Sequence, residues 1–144
     1  MFPCLRKFGI SFYMFNPLSG GLLTGRYKDV NQEGTEGRFD PNTQQGKMYR
    51  ARYWTREYFE AVKIVQAAAD KAGLTMAETA LRWVSHHSLM NREHGDSVII
   101  GASSVKHLLQ NLDDLEKGPL PEEVVKSLDE AWGVVKKDIN KYWR

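Results

Sequence analysis

The chain has 144 residues, and its 20 lysines and arginines against 18 aspartates and glutamates give a formal net charge of +2. This excess is too small for a protein that binds nucleic acid or an anionic membrane. No apolar run approaches the roughly 20 residues that span a bilayer, and the amino terminus lacks the apolar core of a signal peptide. The single cysteine, Cys4, excludes an internal disulfide framework and fits a reducing compartment. We therefore expect a cytoplasmic protein without nucleic-acid or membrane partners.

The first elements predicted along the chain are the end of a helix and a strand. Residues Phe2 to Gly9 have the pattern of the last turns of a helix, with Gly9 as its C-cap. The aromatic-rich run Ile10 to Phe15 then predicts a strand. Because Pro17 cannot donate to a sheet ladder, this strand ends near Asn16.

A glycine-rich loop with the sequence NPLSGGLLTGR follows the strand. Its glycines free the backbone to wrap closely around a ligand, and its polar side chains can contact that ligand. The glycines are Gly20, Gly21 and Gly25, the polar residues Ser19, Thr24 and Arg26, and the interleaved leucines Leu18, Leu22 and Leu23. The leucines argue against a merely flexible connection. Since α/β folds bind ligands at the carboxyl ends of strands, the pattern predicts a binding loop.

A long polar stretch, Lys28 to Tyr53, predicts a loop that is either functional or disordered. It ends in a basic, aromatic cluster, YRARYW at 49–54, for which two interpretations stay open. The cluster is a solvated helix start or it contributes to a ligand site. A nucleic-acid patch is disfavoured by the low net charge.

Two amphipathic helices are predicted next. The first runs from Thr55 to Gly73, and the second opens with a capping box formed by Thr75 and Glu78. Their apolar faces carry Phe59, Val62, Val65, Ala69 and Ala72 in the first helix, and Ala77, Ala80, Leu81 and Val84 in the second. A loop from His86 to Asp96 follows. The histidines at 86, 87 and 94 predict no metal site, because adjacent histidines point to different sides of a helix and no acid or cysteine completes a set.

The run SVIIGASS at 97–104 predicts a buried strand, a turn at Gly101 and the start of a helix. Ser103 or Ser104 can cap that helix or donate to a phosphate, its free N–H groups favour an anion, and Lys106 adds positive charge. The alternative is an ordinary turn with a serine cap. The apolar side of this helix carries Val105, Leu108, Leu109, Leu112 and Leu115. A last helix has Pro121 at its first position and an apolar stripe of Val124, Val125, Leu128, Trp132 and Val135.

The predicted elements do not make a complete domain. Two strands separated by long helical crossovers must be parallel, and a parallel sheet needs cover on both faces. Two strands alone cannot bury these helices. We therefore expect a large apolar patch on the faces that carry Phe59, Val62, Leu81, Leu108 and Leu112, and with it aggregation, a molten state or association with a full-length relative.

The phrase FNPLSGGLLTGRY, together with SVIIGASS and a following L-x-x-N, resembles the aldo-keto reductase superfamily, and within it the aflatoxin aldehyde reductase (succinic semialdehyde reductase) family. The resemblance covers essentially the whole chain, 1–144. It implies an α/β fold that is the C-terminal part of a (β/α)8 TIM barrel: the seventh and eighth strands, their helices and the C-terminal extension. The chain would be the C-terminal segment of a single domain and an incomplete barrel.

The resemblance implies NADP(H) as the cofactor, held by two segments and one arginine. The loop over the pyrophosphate consists of Asn16, Pro17, Leu18, Ser19, Gly20, Gly21, Leu22, Leu23, Thr24, Gly25 and Arg26. The segment for the 2′-phosphate and adenine contains Ser103, Ser104, Lys106, His107, Gln110 and Asn111. Arg38 matches an arginine that also contacts NADP. His107 stands where the superfamily usually has Gln or Arg, so the preference for NADP leans on Lys106 and Arg38.

The resemblance also implies substrate contacts and a missing catalytic group. Tyr49, Arg52 and Arg144 match substrate-binding positions, and two arginines suit a carboxylated aldehyde. The family's catalytic Tyr, Lys, Asp and His lie on earlier strands, and no segment here matches them. The expected activity is NADPH-dependent reduction of aldehydes and dicarbonyls, with little or none in this chain alone. Alternatives are a non-catalytic regulatory or binding protein, like a channel β-subunit, and a fragment that never folds alone.

Overall fold

A small parallel sheet is formed by strands β1 (Tyr13–Phe15) and β2 (Ser97–Ile99) of the computed structural model, which describes residues 1–33, 36–137 and 139. Tyr13 lies opposite Ser97 and Phe15 opposite Ile99. The two strands are direct neighbours in the sheet. The predicted parallel pairing of these two segments is therefore confirmed.

Both strands are shorter and more exposed than the sequence predicts. β1 begins at Tyr13 rather than at Ile10, and β2 is not buried. Met14 faces the helices, whereas Tyr13, Phe15 and Ile99 on the other face of the sheet are exposed. A parallel strand is buried only when both of its faces are covered. Here only one face is covered, so the prediction of a buried second strand is wrong.

The helices are α1 (Phe2–Lys7), α2 (Gln44–Tyr53), α3 (Arg56–Lys71), α4 (Met76–His86), α5 (Val105–Glu116) and α6 (Glu122–Val135). The predicted glycine stop after α1 is confirmed. Gly9 has a φ of 63°, and the Ile10 N–H donates to the Leu5 carbonyl at 2.9 Å. This is the hydrogen-bond pattern of a Schellman motif.

Threonine caps start α3 and α4 where the sequence places them. The Thr55 hydroxyl accepts from the Tyr58 N–H, and the Thr75 hydroxyl accepts from the Glu78 N–H at 3.0 Å. The carboxylate of Glu78 meets Arg82 instead, at 2.7 Å. Of the two hydrogen bonds of the predicted capping box, only the one to the threonine hydroxyl is therefore present. The last helix differs by one position, since Pro121 is the N-cap of α6 rather than its first helical residue.

Helix α2 corrects the prediction of a continuous loop from Lys28 to Tyr53. The Thr43 hydroxyl caps this helix by accepting from the Gly46 N–H at 2.9 Å. A single 3₁₀ turn, Gly37–Phe39, precedes it. The sequence of α2, QQGKMYRARY, lacks an apolar stripe, so periodicity could not reveal the helix.

The core lies mainly between α3 and α6 and extends to the segment before α3. Phe59, Val62 and Leu81 are buried, so the expectation that they would be exposed is wrong. α6 covers the face of α3 that a longer protein was expected to cover. Leu108 and Leu112 are exposed, as predicted, because α5 packs on α4 through another side.

The connection between α5 and α6 is attached to α4 by three basic side chains. The Arg82 guanidinium donates to the Gly118 carbonyl at 2.7 Å, and a His86 ring nitrogen lies 2.7 Å from the Lys117 carbonyl. The His87 ring accepts from the Leu120 N–H at 2.9 Å. Within the described ranges, no helix is long and apolar enough to cross a membrane, and no three His, Cys, Asp or Glu residues gather as metal ligands.

Candidate functional site

Two motif-bearing segments leave the sheet at the same edge. The residues from Asn16 onward follow β1, and the residues from Ile100 onward follow β2. Because the strands are parallel neighbours, their carboxyl ends meet at one edge, where α/β proteins bind ligands. The first segment packs against α4, α2 and the Gly37–Phe39 turn, and α5 packs against α4. Helix α4 thus contacts both candidate segments.

The first segment folds into a compact glycine turn, Ser19–Thr24, made of successive 3₁₀ turns. The Gly20 N–H donates to the Asn16 side-chain oxygen at 2.6 Å, and Gly20 has a φ of 71°, a conformation that favours glycine. Leu22 anchors the turn, since its side chain is buried in the core. The glycine turn is therefore a packed element, as its leucines predict.

Two tyrosines of α2, one helical turn apart, hold the glycine turn. The ring of Tyr49 lies so close to Gly20 that a Cβ on that glycine would fall 2.4 Å from Cε1. The Tyr53 hydroxyl accepts from the Asn16 amide at 3.4 Å. The Arg38 Nη1 donates to the Tyr49 hydroxyl at 2.9 Å. The structure thus unites Arg38, Tyr49 and the glycine turn, which are far apart in sequence.

An aromatic cluster supports this arrangement, and arginines pack on its rings. Its members are Tyr27, Phe39, Tyr49, Tyr53, Trp54, Tyr58 and Phe59, joined by ring contacts of 4.9–5.9 Å between centroids. The Arg50 guanidinium lies 4.2 Å from the centre of the Trp54 ring. Arg26 lies 5.6 Å from the Tyr27 ring, and Arg52 5.8 Å from the Tyr53 ring. Such cation–π contacts order the arginines beside rigid rings.

These contacts decide part of the question that the YRARYW cluster left open. The cluster lies in the last turns of α2, so its interpretation as a helix start is wrong. Tyr49 is buried and contacts the glycine turn, whereas Arg52 is exposed. The role of Tyr53 was not predicted, although its spacing of four residues from Tyr49 puts both rings on one face of a helix.

The second segment presents exposed polar groups at the start of α5. The Ser104 hydroxyl caps the helix by accepting from the His107 N–H at 3.2 Å. The Ser103 hydroxyl lies 3.0 Å from His107 Nδ1, and Lys106 is exposed. The N-terminus of a helix and a lysine both favour an anion. The predicted serine cap is confirmed by this geometry.

The other two predicted residues of this segment, Gln110 and Asn111, make hydrogen bonds within the fold. The Asn111 amide is buried and lies 3.5 Å from the Gly101 carbonyl, so it holds the turn before α5. The Gln110 amide donates to Asp114 Oδ1 at 3.1 Å. The other oxygen of Asp114 is buried and has no hydrogen-bond partner among the described residues.

Asp114 belongs to an ionic network between α4 and the end of α5 that the sequence did not reveal. Lys117 bridges Asp114 and Glu78, with both distances 2.9 Å, and Arg82 completes the network. Burial raises the pKa of Glu78, but hydrogen bonds from Lys117 and Arg82 outweigh burial and hold that pKa below its ordinary value. The network therefore keeps Glu78 ionised and ties α5 to α4.

Comparison with known proteins decides the family. The sequence profile of the aldo/keto reductase family matches residues 1–133. The chain belongs to the aldo/keto reductase family. The chain is 51% identical to an aldo-keto reductase of Pseudocercospora fijiensis, over 99% of the chain and 48% of the relative. The resemblance inferred from the two motifs is thereby confirmed.

Human relatives and a solved structure agree with this membership. The chain is 46% identical to human aldo-keto reductase family 7 member A3 and 44% identical to human aflatoxin B1 aldehyde reductase member 2. All of the chain is matched, but only 45% and 42% of these relatives. A glycerol dehydrogenase from Gluconobacter oxydans shares the fold, with a TM-score of 0.64, 20% identity, and coverage of 98% of this chain and 39% of that one. The chain thus spans a little under half the length of the curated relatives that it matches.

Arg144, one of the three predicted substrate contacts, lies outside the described residues. Of the other predicted residues, Asn16 to Arg26, Arg38 and Tyr49 form one connected group. Arg52 borders this group through the Tyr53 ring. Ser103 to Asn111 lie on or beside α5, at the same edge of the sheet.

Proposed function

We propose that this chain carries the cofactor-binding part of an NADPH-dependent aldehyde reductase. One observation carries the proposal: both motif-bearing segments follow neighbouring parallel strands and therefore leave the sheet at the same edge. On this proposal β1 and β2 are the seventh and eighth strands of a (β/α)8 barrel, and the chain is the C-terminal segment of one domain. A barrel of this type carries its site at the carboxyl ends of its strands.

The residues at this edge fit an anionic dinucleotide. The exposed group at the start of α5 combines hydroxyl donors, a lysine and a helix N-terminus, which together suit a phosphate. The glycine turn would hold the pyrophosphate, and Arg38 and Lys106 would meet the 2′-phosphate. Asn111 would contact the adenine from its buried position. When bound, NADPH supplies the hydride that reduces a carbonyl group.

The proposed substrates are aldehydes and dicarbonyls that bear a carboxylate. Relatives of 44% and 43% identity are named aflatoxin B1 aldehyde reductases, which supports an aldehyde as substrate. Arg52 and Arg144 would bind the carboxylate of such a substrate, and Tyr49 would line the same pocket. The proposed location of the protein is the cytoplasm. A guanidinium suits this task because its planar fork can bond two oxygens at once.

The chain by itself is proposed to be inactive, because none of its segments resembles the part of the family that carries the proton donor. NADPH oxidation with succinic semialdehyde tests this directly on the 144-residue chain. We expect little or no turnover by the chain. A rate of about 1 s⁻¹ or more by the chain alone, which is typical of enzymes, would overturn this part of the proposal.

Cofactor binding is tested by calorimetric titration of the chain with NADPH and with NADH. We expect NADPH to bind at least about tenfold more tightly, because only NADPH brings the charge of a 2′-phosphate. The double variant Lys106→Ala with Arg38→Ala should weaken NADPH far more than NADH. Lys126→Ala, which removes a lysine paired with Glu122 on α6, is the matched control and should change neither. An equal loss for both nucleotides in the double variant would show that these residues do not recognise the phosphate.

A further inference from the structure

Arg38 is exposed, but its side chain is held in place. It lies in the Gly37–Phe39 turn, a short element that by itself does not order a long side chain. Its Nη1 donates to the Tyr49 hydroxyl at 2.9 Å. A guanidinium has five N–H donors in a planar fork, so this bond uses one donor and leaves the others for a ligand. Its guanidinium also lies 5.7 Å from the centre of the Tyr49 ring. The position of Arg38 therefore depends on Tyr49, and the directional part of that contact is one hydroxyl group.

That hydroxyl group belongs to a residue which packing immobilises on several sides. Tyr49 is 6% exposed. Its ring lies against Gly20 of the glycine turn, and its ring centre is 5.7 Å from that of Phe39, at a right-angled contact. A second ring, that of Tyr53, lies 5.9 Å away. Tyr49 thus joins Arg38 to the glycine turn through rigid contacts.

We propose that Tyr49 is a positioning residue that orders Arg38 before the nucleotide arrives, and that it thereby sets the preference for a 2′-phosphorylated dinucleotide. The inference rests on the proposed function, because the proposed function assigns the 2′-phosphate as the ligand of Arg38. Immobilising a long side chain on binding weakens affinity, and an arginine that is already ordered avoids this loss. NADH lacks the phosphate, so the gain applies to NADPH alone.

Tyr49→Phe tests the inference because it keeps the ring against Gly20 and removes only the hydroxyl group. We expect the Kd for NADPH to rise about tenfold, the cost of ordering one side chain, and the Kd for NADH to stay unchanged. Tyr27→Phe is the matched control. Tyr27 is as deeply buried in the same cluster, but its hydroxyl donates to the Glu36 carbonyl at 3.0 Å. This control should leave the ratio of the two Kd values unchanged.

A double variant distinguishes action through Arg38 from a direct contact. If Tyr49 acts through Arg38, adding Tyr49→Phe to Arg38→Ala causes no further loss of NADPH affinity. A further tenfold loss in the double variant would overturn the inference. So would an equal weakening of NADPH and NADH by Tyr49→Phe, because that result indicates a general disturbance of the site.

A measurement without nucleotide separates this inference from the proposed function. The rate at which phenylglyoxal modifies Arg38, followed by peptide mass spectrometry, reports how firmly its guanidinium is held. We expect Tyr49→Phe to accelerate modification of Arg38 several-fold and to leave the exposed Arg56 unchanged. An unchanged rate at Arg38 would overturn the positioning role, whether or not NADPH binds. Faster modification in a chain that binds no NADPH would support the positioning of Arg38, overturn the proposed function, and refute the link to cofactor preference.

Discussion

Gly46 lies directly against the backbone carbonyl of Asp40, so close that a Cβ on the glycine would fall 1.8 Å from that oxygen. This approach lets α2 pack on the Gly37–Phe39 turn. The packing in turn places Tyr49, three residues further along α2, against Gly20. One missing side chain thus determines where the helix that contacts the glycine turn can lie.

Gly46→Ala should therefore lower the free energy of unfolding. The new methyl group meets backbone, which cannot move aside like a flexible side chain, so we expect a loss of about 2–3 kcal/mol, as for overpacked cores. Urea unfolding followed by circular dichroism measures this. Gly133→Ala in α6 is the control, because a Cβ there meets nothing within 4 Å. That control should stabilise the chain by up to about 1 kcal/mol, and a comparable loss at both sites would refute the argument.

Asp96 should make the chain sensitive to acid. Its buried carboxylate accepts from the Arg6 guanidinium and from the N–H groups of Phe12 and Asn91, at 2.8 and 2.9 Å. The hydrogen bond from Arg6 holds the pKa of Asp96 well below its usual range. A carboxyl group whose pKa is lowered by folding stabilises the chain fully when the pH is above its ordinary pKa of about 4. This stabilisation is lost as the pH falls below that value.

The test compares urea midpoints of the wild-type chain and Asp96→Asn at pH 7, 5 and 3. The variant should be less stable at pH 7, since one amide group cannot accept all these bonds, and should lose less between pH 5 and pH 3. The exposed Asp113→Asn serves as control and should follow the wild-type chain. If Asp96→Asn shows the full wild-type acid sensitivity, Asp96 is not its source.

His87 predicts a second pH dependence, nearer to neutrality. Its ring must be neutral to accept from the Leu120 N–H, and its pKa is lowered by burial and by the nearby His86 and Arg82. A lowered histidine pKa contributes stability above about 6.5, which is lost as the pH falls through the folded-state value. His87→Gln retains an acceptor that does not titrate. The wild-type chain should lose about 1 kcal/mol of unfolding free energy between pH 7 and pH 5, the contribution of one hydrogen bond, and His87→Gln should not show this loss.

The measurement for His87 is the unfolding free energy at half-unit pH steps. His94→Gln, at an exposed position in a loop, is the control and should retain the wild-type slope. A wild-type slope in His87→Gln would assign this pH dependence to other groups.

The exposed apolar side of α5 should cause self-association. Val105, Leu109 and Leu112 are between 45% and 74% exposed there, on the side of the helix away from α4. Contiguous apolar surface of this kind favours association. In sedimentation velocity we expect the wild-type chain to form concentration-dependent oligomers, and Leu109→Lys with Leu112→Lys to reduce them. The control, Gln45→Lys with Ala67→Lys, adds the same two charges at exposed sites and should not reduce the oligomers. A monodisperse wild-type monomer would contradict this prediction.

Local signals along the chain predicted much of the fold. Gly9 and Thr75 act within a few residues of themselves, so their roles in ending and starting helices are readable from sequence alone. The same holds for Ser104. The two glycine-containing motifs likewise predicted the family, which the comparisons confirm over residues 1–133.

Contacts between distant segments decided what the sequence pattern could not. Helix α2 has no apolar stripe, and only its packing on Asp40 and Gly20 shows why it forms. Arg38 and Tyr49 each matched a position expected to bind a ligand, but their hydrogen bond depends on two elements meeting in space. The exposure of Leu108 was predicted, but the burial of Leu81 was beyond reach, since both leucines carry the same apolar pattern.

The sequence by itself therefore determined the order of the elements, their caps and the membership of a family, because each rests on residues close together or on a contiguous motif. Only the tertiary structure decided which apolar faces are covered and which polar groups meet. Burial and pairing depend on the surface that another segment presents. In this chain α6 presents such a surface to α3, and the exposed side of α5 meets none among the described residues.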